Sequence, residues 1–247
     1  MPISPNQGST GGGTTVTITG VNLANATAVK FGSKLATITA NTPTSVTVGS
    51  PSGAGVVDVT VTTVGGTSNP LSFFYIGAPF KSVLSPTSGP TAGTNTVTIN
   101  GTGLSTASAV NFGANAATPT VISDSQLSVV VPQGAGPGAV SVSVTTAGGT
   151  NNGLSYTYVD TPTVTTLSPN SGSTSGGTAV TITGTNLSTT QSITFDGVTA
   201  PFTVVSSTTV SVVTPTGTAG AVDVVVTTTG GSATEVGGFT YVGGPGI

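Results

Sequence analysis

Histidine, cysteine, tryptophan and arginine are all missing from this 247-residue sequence. Charge is scarce too. The cations are Lys30, Lys34 and Lys81, the acids are Asp58, Asp124, Asp160, Asp196, Asp223 and Glu235, and together they make up 4% of the chain, against about a quarter in an average soluble protein. Each absence closes a class of function. Without Cys there are no disulfides and no thiolate metal sites, while the redox compartment stays open. Without His, the many Ser and Thr hydroxyls lack the usual base that turns one into a nucleophile, and the three lysines are expected to lie exposed rather than buried beside one. A paired-carboxylate hydrolase needs two acids held close with split pKa values, and the six acids here are scattered along the chain. No enzyme is expected: no catalytic residue and no cofactor.

Asp160, Asp196 and Asp223 sit near joints, turns or strands, but calcium asks for about six to eight oxygens and usually several carboxylates together. No metal site is expected. Three cations and a net charge of −3 cannot neutralise a run of phosphates, which excludes nucleic acid as a partner. No apolar run approaches the roughly 20 residues of a membrane-spanning helix. Met1-Pro2-Ile3-Ser4-Pro5 has neither the basic nor the apolar stretch of a secretory leader. The expectation is therefore a segment of a longer protein or a product lacking a standard leader.

Val, Ile, Thr and Gly fill the space that charge leaves. Branching at Cβ stiffens the backbone toward extended conformations, so the chain reads as folded and all-β rather than disordered. A surface this poor in charge has little repulsion to keep copies apart, which favours self-association.

The sequence repeats itself three times. Ile3-Ser4-Pro5 with Gly8 returns as Leu84-Ser85-Pro86 with Gly89 and as Leu167-Ser168-Pro169 with Gly172. Val16-Thr17-Ile18 returns as Val97-Thr98-Ile99 and Val180-Thr181-Ile182, and Phe31, Phe112 and Phe195 each precede a turn glycine by one or two residues. Pro51, Pro132 and Pro215 lie 81 and 83 residues apart. Each copy closes on an aromatic pair: Phe73 with Tyr75, Tyr156 with Tyr158, Phe239 with Tyr241. Solenoid repeats span only about 20 to 50 residues because each borrows its core from a neighbour; these copies are long enough for a core of their own.

Within a copy the period is two, as in Thr15-Val16-Thr17-Ile18-Thr19, so one strand face is buried and the other wet. About seven such segments per copy, punctuated by Gly, Pro and Asn, predict a sandwich of two antiparallel sheets. The Ser-Pro corner reads as a fixed turn launching the first strand, with Pro setting φ and Gly closing the bend. Gly11-Gly12-Gly13 and Gly176-Gly177 precede a strand and lack the Lys and helix of a phosphate loop. Gly65-Gly66, Gly148-Gly149 and Gly230-Gly231 fit hairpin turns. The terminal aromatics read as interior packing rather than a sugar platform, and Trp, the best stacking residue for carbohydrate, is missing.

With these residues in view, all three copies resemble the IPT/TIG family of immunoglobulin-like domains. The first copy shows Ser4, Pro5, Gly8, Gly12, Gly13, Val16, Ile18, Gly20 and Leu23; the third shows Ser168, Pro169, Gly172, Gly176, Gly177, Val180, Ile182, Gly184 and Leu187. The middle copy departs with Gly93-Thr94 where the others have Gly-Gly. The resemblance implies three tandem immunoglobulin-like sandwiches, with domains at 1–77, 78–160 and 161–247. It names no single role, since the family spans surface adhesins, receptor ectodomains, transcription-factor domains and accessory domains of polysaccharide enzymes. The Pro-containing joints Gly77-Ala78-Pro79 and Asp160-Thr161-Pro162 are short and stiff. They predict a semi-rigid rod of about 100–120 Å, from the rise of its strands.

The leading reading is a structural or interaction protein, a stalk or fibre-like spacer at a cell surface or in an extracellular assembly. Its contacts would be protein partners or further copies, made through exposed strand edges. A virion decoration or tail-fibre component and a glycan- or receptor-binding adhesin module stand as alternatives.

Overall fold

The computed structural model describes residues 1–244. The chain forms two compact units. Met1–Ser85, Thr96–Val129 and Ser141–Leu154 make the first; Pro86–Asn95, Val130–Val140 and the chain from Ser155 onward make the second. The first copy lies wholly in one unit and the third wholly in the other, and the middle copy contributes to both.

The first copy has nine strands: β1 (Ile3–Ser4), β2 (Gln7–Ser9), β3 (Thr15–Thr19), β4 (Ala28–Phe31), β5 (Lys34–Asn41), β6 (Ser45–Gly49), β7 (Gly55–Thr63), β8 (Gly66–Thr67) and β9 (Leu71–Ile76). They pair in the order β1-β3-β6-β5-β4-β7-β9-β2, with β8 on β7. Alternation does what the sequence predicts. Val16 and Ile18 of β3, Val46 and Val48 of β6, and Val59 and Val61 of β7 are buried, with threonines between them facing outward or only partly covered. Phe31 and Phe73 meet edge to face at 5.0 Å in the middle of this core. The third copy builds a separate core of the same design from Val180, Ile182, Val210, Val212, Phe195 and Phe239. At roughly 1.5–3 kcal/mol for each large apolar side chain buried, these two clusters hold their sandwiches closed.

Nine strands rather than seven arise largely because the first strand is divided. β1 pairs antiparallel with β3, Ile3 opposite Ile18, and three residues later β2 pairs parallel with β9, Gly8 opposite Tyr75. The Ser-Pro corner thus lies between two halves of the first strand rather than ahead of it. It carries one strand from one end of the sheet order to the other, and the Ser4-Pro5 and Ser168-Pro169 bonds are cis. Gly8 does not close that bend either: it is buried where any Cβ would collide with Thr14 and sit 3.0 Å from the Phe73 ring. Gly172 is held the same way by Thr178 and Phe239. In the middle copy the ring is Tyr156, and an Asn stands where the others have Thr; the Tyr156 hydroxyl donates to Asn95 Oδ1 at 3.0 Å.

One difference between copies concerns their edges. In the first copy β5 pairs with both β4 and β6, Thr37 facing Gly49, so it joins the two layers. In the third copy Pro201 takes the place of Thr37, and a residue without an N–H cannot continue the ladder. The strand breaks into Val198–Thr199 and Phe202–Ser206, each ending a separate sheet. In the middle copy Asn115–Ala117 and Thr120–Ser123 flank Pro119 and likewise end their sheets.

All four tyrosines of the chain are buried, and burial raises the pKa of each above the ordinary value. An unfolded chain therefore ionises first, near pH 10, and above that point stability falls as pH rises. Lys81 opposes this: its pKa is lowered by burial, so the unfolded chain holds its proton more tightly and stability rises as pH approaches the usual lysine value. With four groups against one, the denaturant midpoint is expected to drop between about pH 9.5 and about pH 11. A midpoint that stays level or climbs there would show the tyrosines ionising equally well in the folded protein.

Candidate functional site

No side-chain constellation suited to bond-making forms around the residues weighed from the sequence. Asp58 and Asp223 sit on the solvent side of their strands, as their register implies. Asp223 accepts the Gly237 N–H at 2.8 Å, and Asp160 accepts the Thr91 hydroxyl at 2.7 Å. Asp196 is an exposed turn residue at φ 48°. Asp124 is exposed as well, and its carboxyl is held below the usual range first by the Ser105 hydroxyl, then by the Gly103 and Ser105 N–H groups. Among the described residues no three of His, Cys, Asp and Glu gather where an ion could be held. Lys30 and Lys34 are exposed, but Lys81 is not. Only 8% of it is accessible, and its Nζ donates to Val142 O at 2.6 Å. This corrects the expectation of three exposed lysines: the strand Phe80–Ser85 turns position 81 inward, where the third copy has the half-buried Val164.

Three kinds of surface remain. The first is the strand edge. Thr120–Ser123 is exposed along its whole length, and its Val121 and Ile122 are 39% and 57% accessible. Val205 on Phe202–Ser206 is 64% accessible. Ile122 and Val205 each sit at a bulge, where the pairing register shifts. A bulge on an edge strand twists it away from open-ended pairing, leaving an apolar side chain directed outward.

The second is a shallow concavity at the trailing end of a copy. In the third it measures about 340 Å³ beside Phe195, Gly217 and Tyr241; in the first about 560 Å³ beside Phe31, Gly53 and Tyr75. Its wall is set by one contact repeated in every copy. Tyr75, Tyr158 and Tyr241 donate their hydroxyls to the carbonyls of Pro51, Pro132 and Pro215 at 2.7, 2.8 and 2.7 Å. Gly53, Gly134 and Gly217 let the rings lie flat on the backbone, because a Cβ there would strike the ring.

The third is the joint. Gly148 lies directly against the Gly77 carbonyl, and Gly230 against that of Asp160, so closely that neither position has room for a Cβ. The Asn151 side chain donates to Pro79 O at 2.6 Å, and that of Asn186 to Thr161 O at 3.0 Å.

A family model, the IPT/TIG domain, matches residues 1–75, 79–158 and 162–241. The chain belongs to the IPT/TIG family.

Solved structures add likeness of fold. The plexin A4 extracellular region, domains 1 to 10, superposes with a TM-score of 0.50 at 20% identity over 93% of this chain. The chain spans 22% of that plexin chain and 33% of a second plexin A4 structure. The Escherichia coli adhesin FdeC (16% identity, 97% of this chain, 92% of that one) and a Bacteroides ovatus protein from a mixed-linkage glucan utilization locus (17%, 96% and 65%) both superpose at a TM-score of 0.32, too loosely to argue from.

Within the IPT/TIG frame, the aromatic pairs that raised the question of a sugar platform are interior: Phe73, Tyr75, Tyr156, Tyr158, Phe239 and Tyr241 are each 8% accessible or less. Among the described residues no helix is long and apolar enough to cross a membrane. Sequence reasoning missed the joint glycines. Gly148 and Gly230 do lie in hairpin turns, as the sequence predicts, with the positive φ at their neighbours Gly149 (121°) and Gly231 (128°); what was missed is that a linker carbonyl packs on each of them. No local signal pointed to it, since a tight hairpin turn accounts for a Gly-Gly pair by itself.

Proposed function

We propose that this chain is a non-catalytic structural and interaction segment of a cell-surface or extracellular assembly, a spacer that makes its protein contacts through exposed strand edges. The observation that carries this reading is the edge strand Thr120–Ser123, open along its length and presenting Val121 and Ile122 to solvent. The bulge at Ile122 limits ladder pairing at that point, so the contact rests on the apolar side chains of Val121 and Ile122 together with the backbone donors and acceptors that flank the bulge. The lack of His and Cys in the sequence supports the non-catalytic half, because it removes the side chains most used for proton transfer and nucleophilic attack. Family membership is compatible with the reading without requiring it.

The test is antibody labelling of intact cells and of culture medium from the native source. Signal on the outer face or in released assemblies is expected, and an Ile122→Lys variant should lower the protein's retention there. Confinement to the cell interior would sink the proposal.

A further inference from the structure

We infer that the outer face of the first copy's sheet, across β5, β4, β7 and β9, is an interface at which two copies of this chain pack face to face about a two-fold axis. Leu35, Val56 and Phe74 stand out from that face, 64%, 62% and 42% accessible, and Lys30 and Asp58 are exposed among them. The pairing places all five on one side of the sheet. Leu35 is opposite Lys30, Lys30 opposite Thr60, Asp58 opposite Ser72 and Val56 opposite Phe74. The residues alternating with them, Val29, Phe31, Val59 and Phe73, belong to the core.

The other two copies show that the fold itself does not call for these side chains. Where the first has Lys30, Leu35, Val56 and Phe74, the middle one has Asn111, Ala116, Ala139 and Thr157, and the third has Thr194, Thr199, Ala221 and Thr240. The counterparts of Leu35, Val56 and Phe74 are exposed in both. The positions face outward throughout the chain, and the first copy alone fills them with large apolar groups. Such groups gathered across neighbouring strands mark a contact surface.

The charges indicate what covers it. A face of one sign asks for a partner of the other; this face carries both, as a self-contact requires. Lys30 and Asp58 are diagonal neighbours, because Lys30 opposes Thr60 and Asp58 is two residues away from it along β7. The third copy keeps the acid, Asp223, but sets Thr194 in place of the cation, and the middle copy has neither charge. Strands lie about 4.8 Å apart, and side chains on one face recur about every 6.7 Å along a strand. From Lys30 to Asp58 is thus one strand across and two residues along, and from Leu35 to Val56 two strands across and four residues along. The two diagonals are parallel and share nearly the same middle. A two-fold axis lying between the faces and crossing both middles sets Lys30 of each copy on Asp58 of the other, and Leu35 of each over Val56 of the other.

Sedimentation equilibrium of the full chain is the test. Its mass is expected to pass from one chain to two as concentration rises, and Phe74→Thr should weaken that association about tenfold or more. Lys30→Asp and Asp58→Lys should each weaken it by a similar factor, since like charges then face one another, and the double variant should return it to within about threefold of the unsubstituted chain. Ile122→Lys should leave it unchanged, because this face is separate from the strand edge of the middle copy and does not rest on it. Urea midpoints are expected to stay near that of the unsubstituted chain, as at other exposed positions, which keeps a folding defect out of the comparison. A single-chain mass at every concentration, association untouched by Phe74→Thr, a double variant no better than the single ones, or association lost with Ile122→Lys would each overturn the inference.

Discussion

Gly176→Ala is expected to destabilise the third domain by about 3 kcal/mol or more, while Gly177→Ala beside it costs only about 1–2 kcal/mol. Both residues have left-handed backbone, at φ 74° and φ 80°, so both changes carry the penalty of placing an L side chain there. They differ in what the new methyl meets. At Gly177 nothing lies within 4 Å; at Gly176 it would sit 2.6 Å from the Pro215 carbonyl carbon and 2.8 Å from Thr214 O. Those are backbone atoms of the corner that also accepts the Tyr241 hydroxyl, and they have no side-chain freedom with which to yield. The middle domain supports this division. At the open position it carries Thr94, at φ 73°, whereas at the crowded one it keeps Gly93, hard against Pro132. Urea unfolding of the two variants decides the matter, and equal losses would mean that the Pro215 corner gives way.

Phe239→Ala is expected to cost about 3–5 kcal/mol, the range for emptying a large buried aromatic site. Phe239 is fully buried, edge to face with Phe195 at 5.3 Å and with Tyr241 at 5.1 Å. Its ring lies over Gly172, whose missing side chain leaves no atoms to refill the space. Against a total stability of about 5–15 kcal/mol for a small domain, that loss brings the third domain close to unfolding. The first domain has its own core cluster, so the effect should stop short of it. In hydrogen exchange, amides of Val180, Ile182, Val210 and Val212 should lose protection while those of Val16, Ile18, Val46 and Val48 keep it. Loss of protection in both sets together would show that the cores are energetically joined.

The repeat, the all-β class and the inward residues were legible in the sequence. They follow from local rules: a side-chain period of two places Val16 and Ile18 on one face whatever the strand pairs with, and threefold self-similarity divides the chain without reference to contacts. The Pro201 break in the third domain was not legible there: the missing N–H is a property of the residue, but that it falls where the first copy's strand crosses between layers is seen only in the pairing.

What only the tertiary structure decided concerns residues whose neighbours come from far along the chain. Lys81 reads as a surface charge until its strand brings it to Val142 O, 61 positions away. The Ser-Pro corner reads as a turn until β1 and β2 are seen pairing with β3 and β9. Gly8, Gly148 and Gly230 read as flexible punctuation, yet each is fixed by a lack of room against distant atoms. Glycine has two uses, positive φ and close approach. The first can be guessed from a turn pattern, whereas the second belongs to whatever packs on top and is written nowhere near the glycine itself.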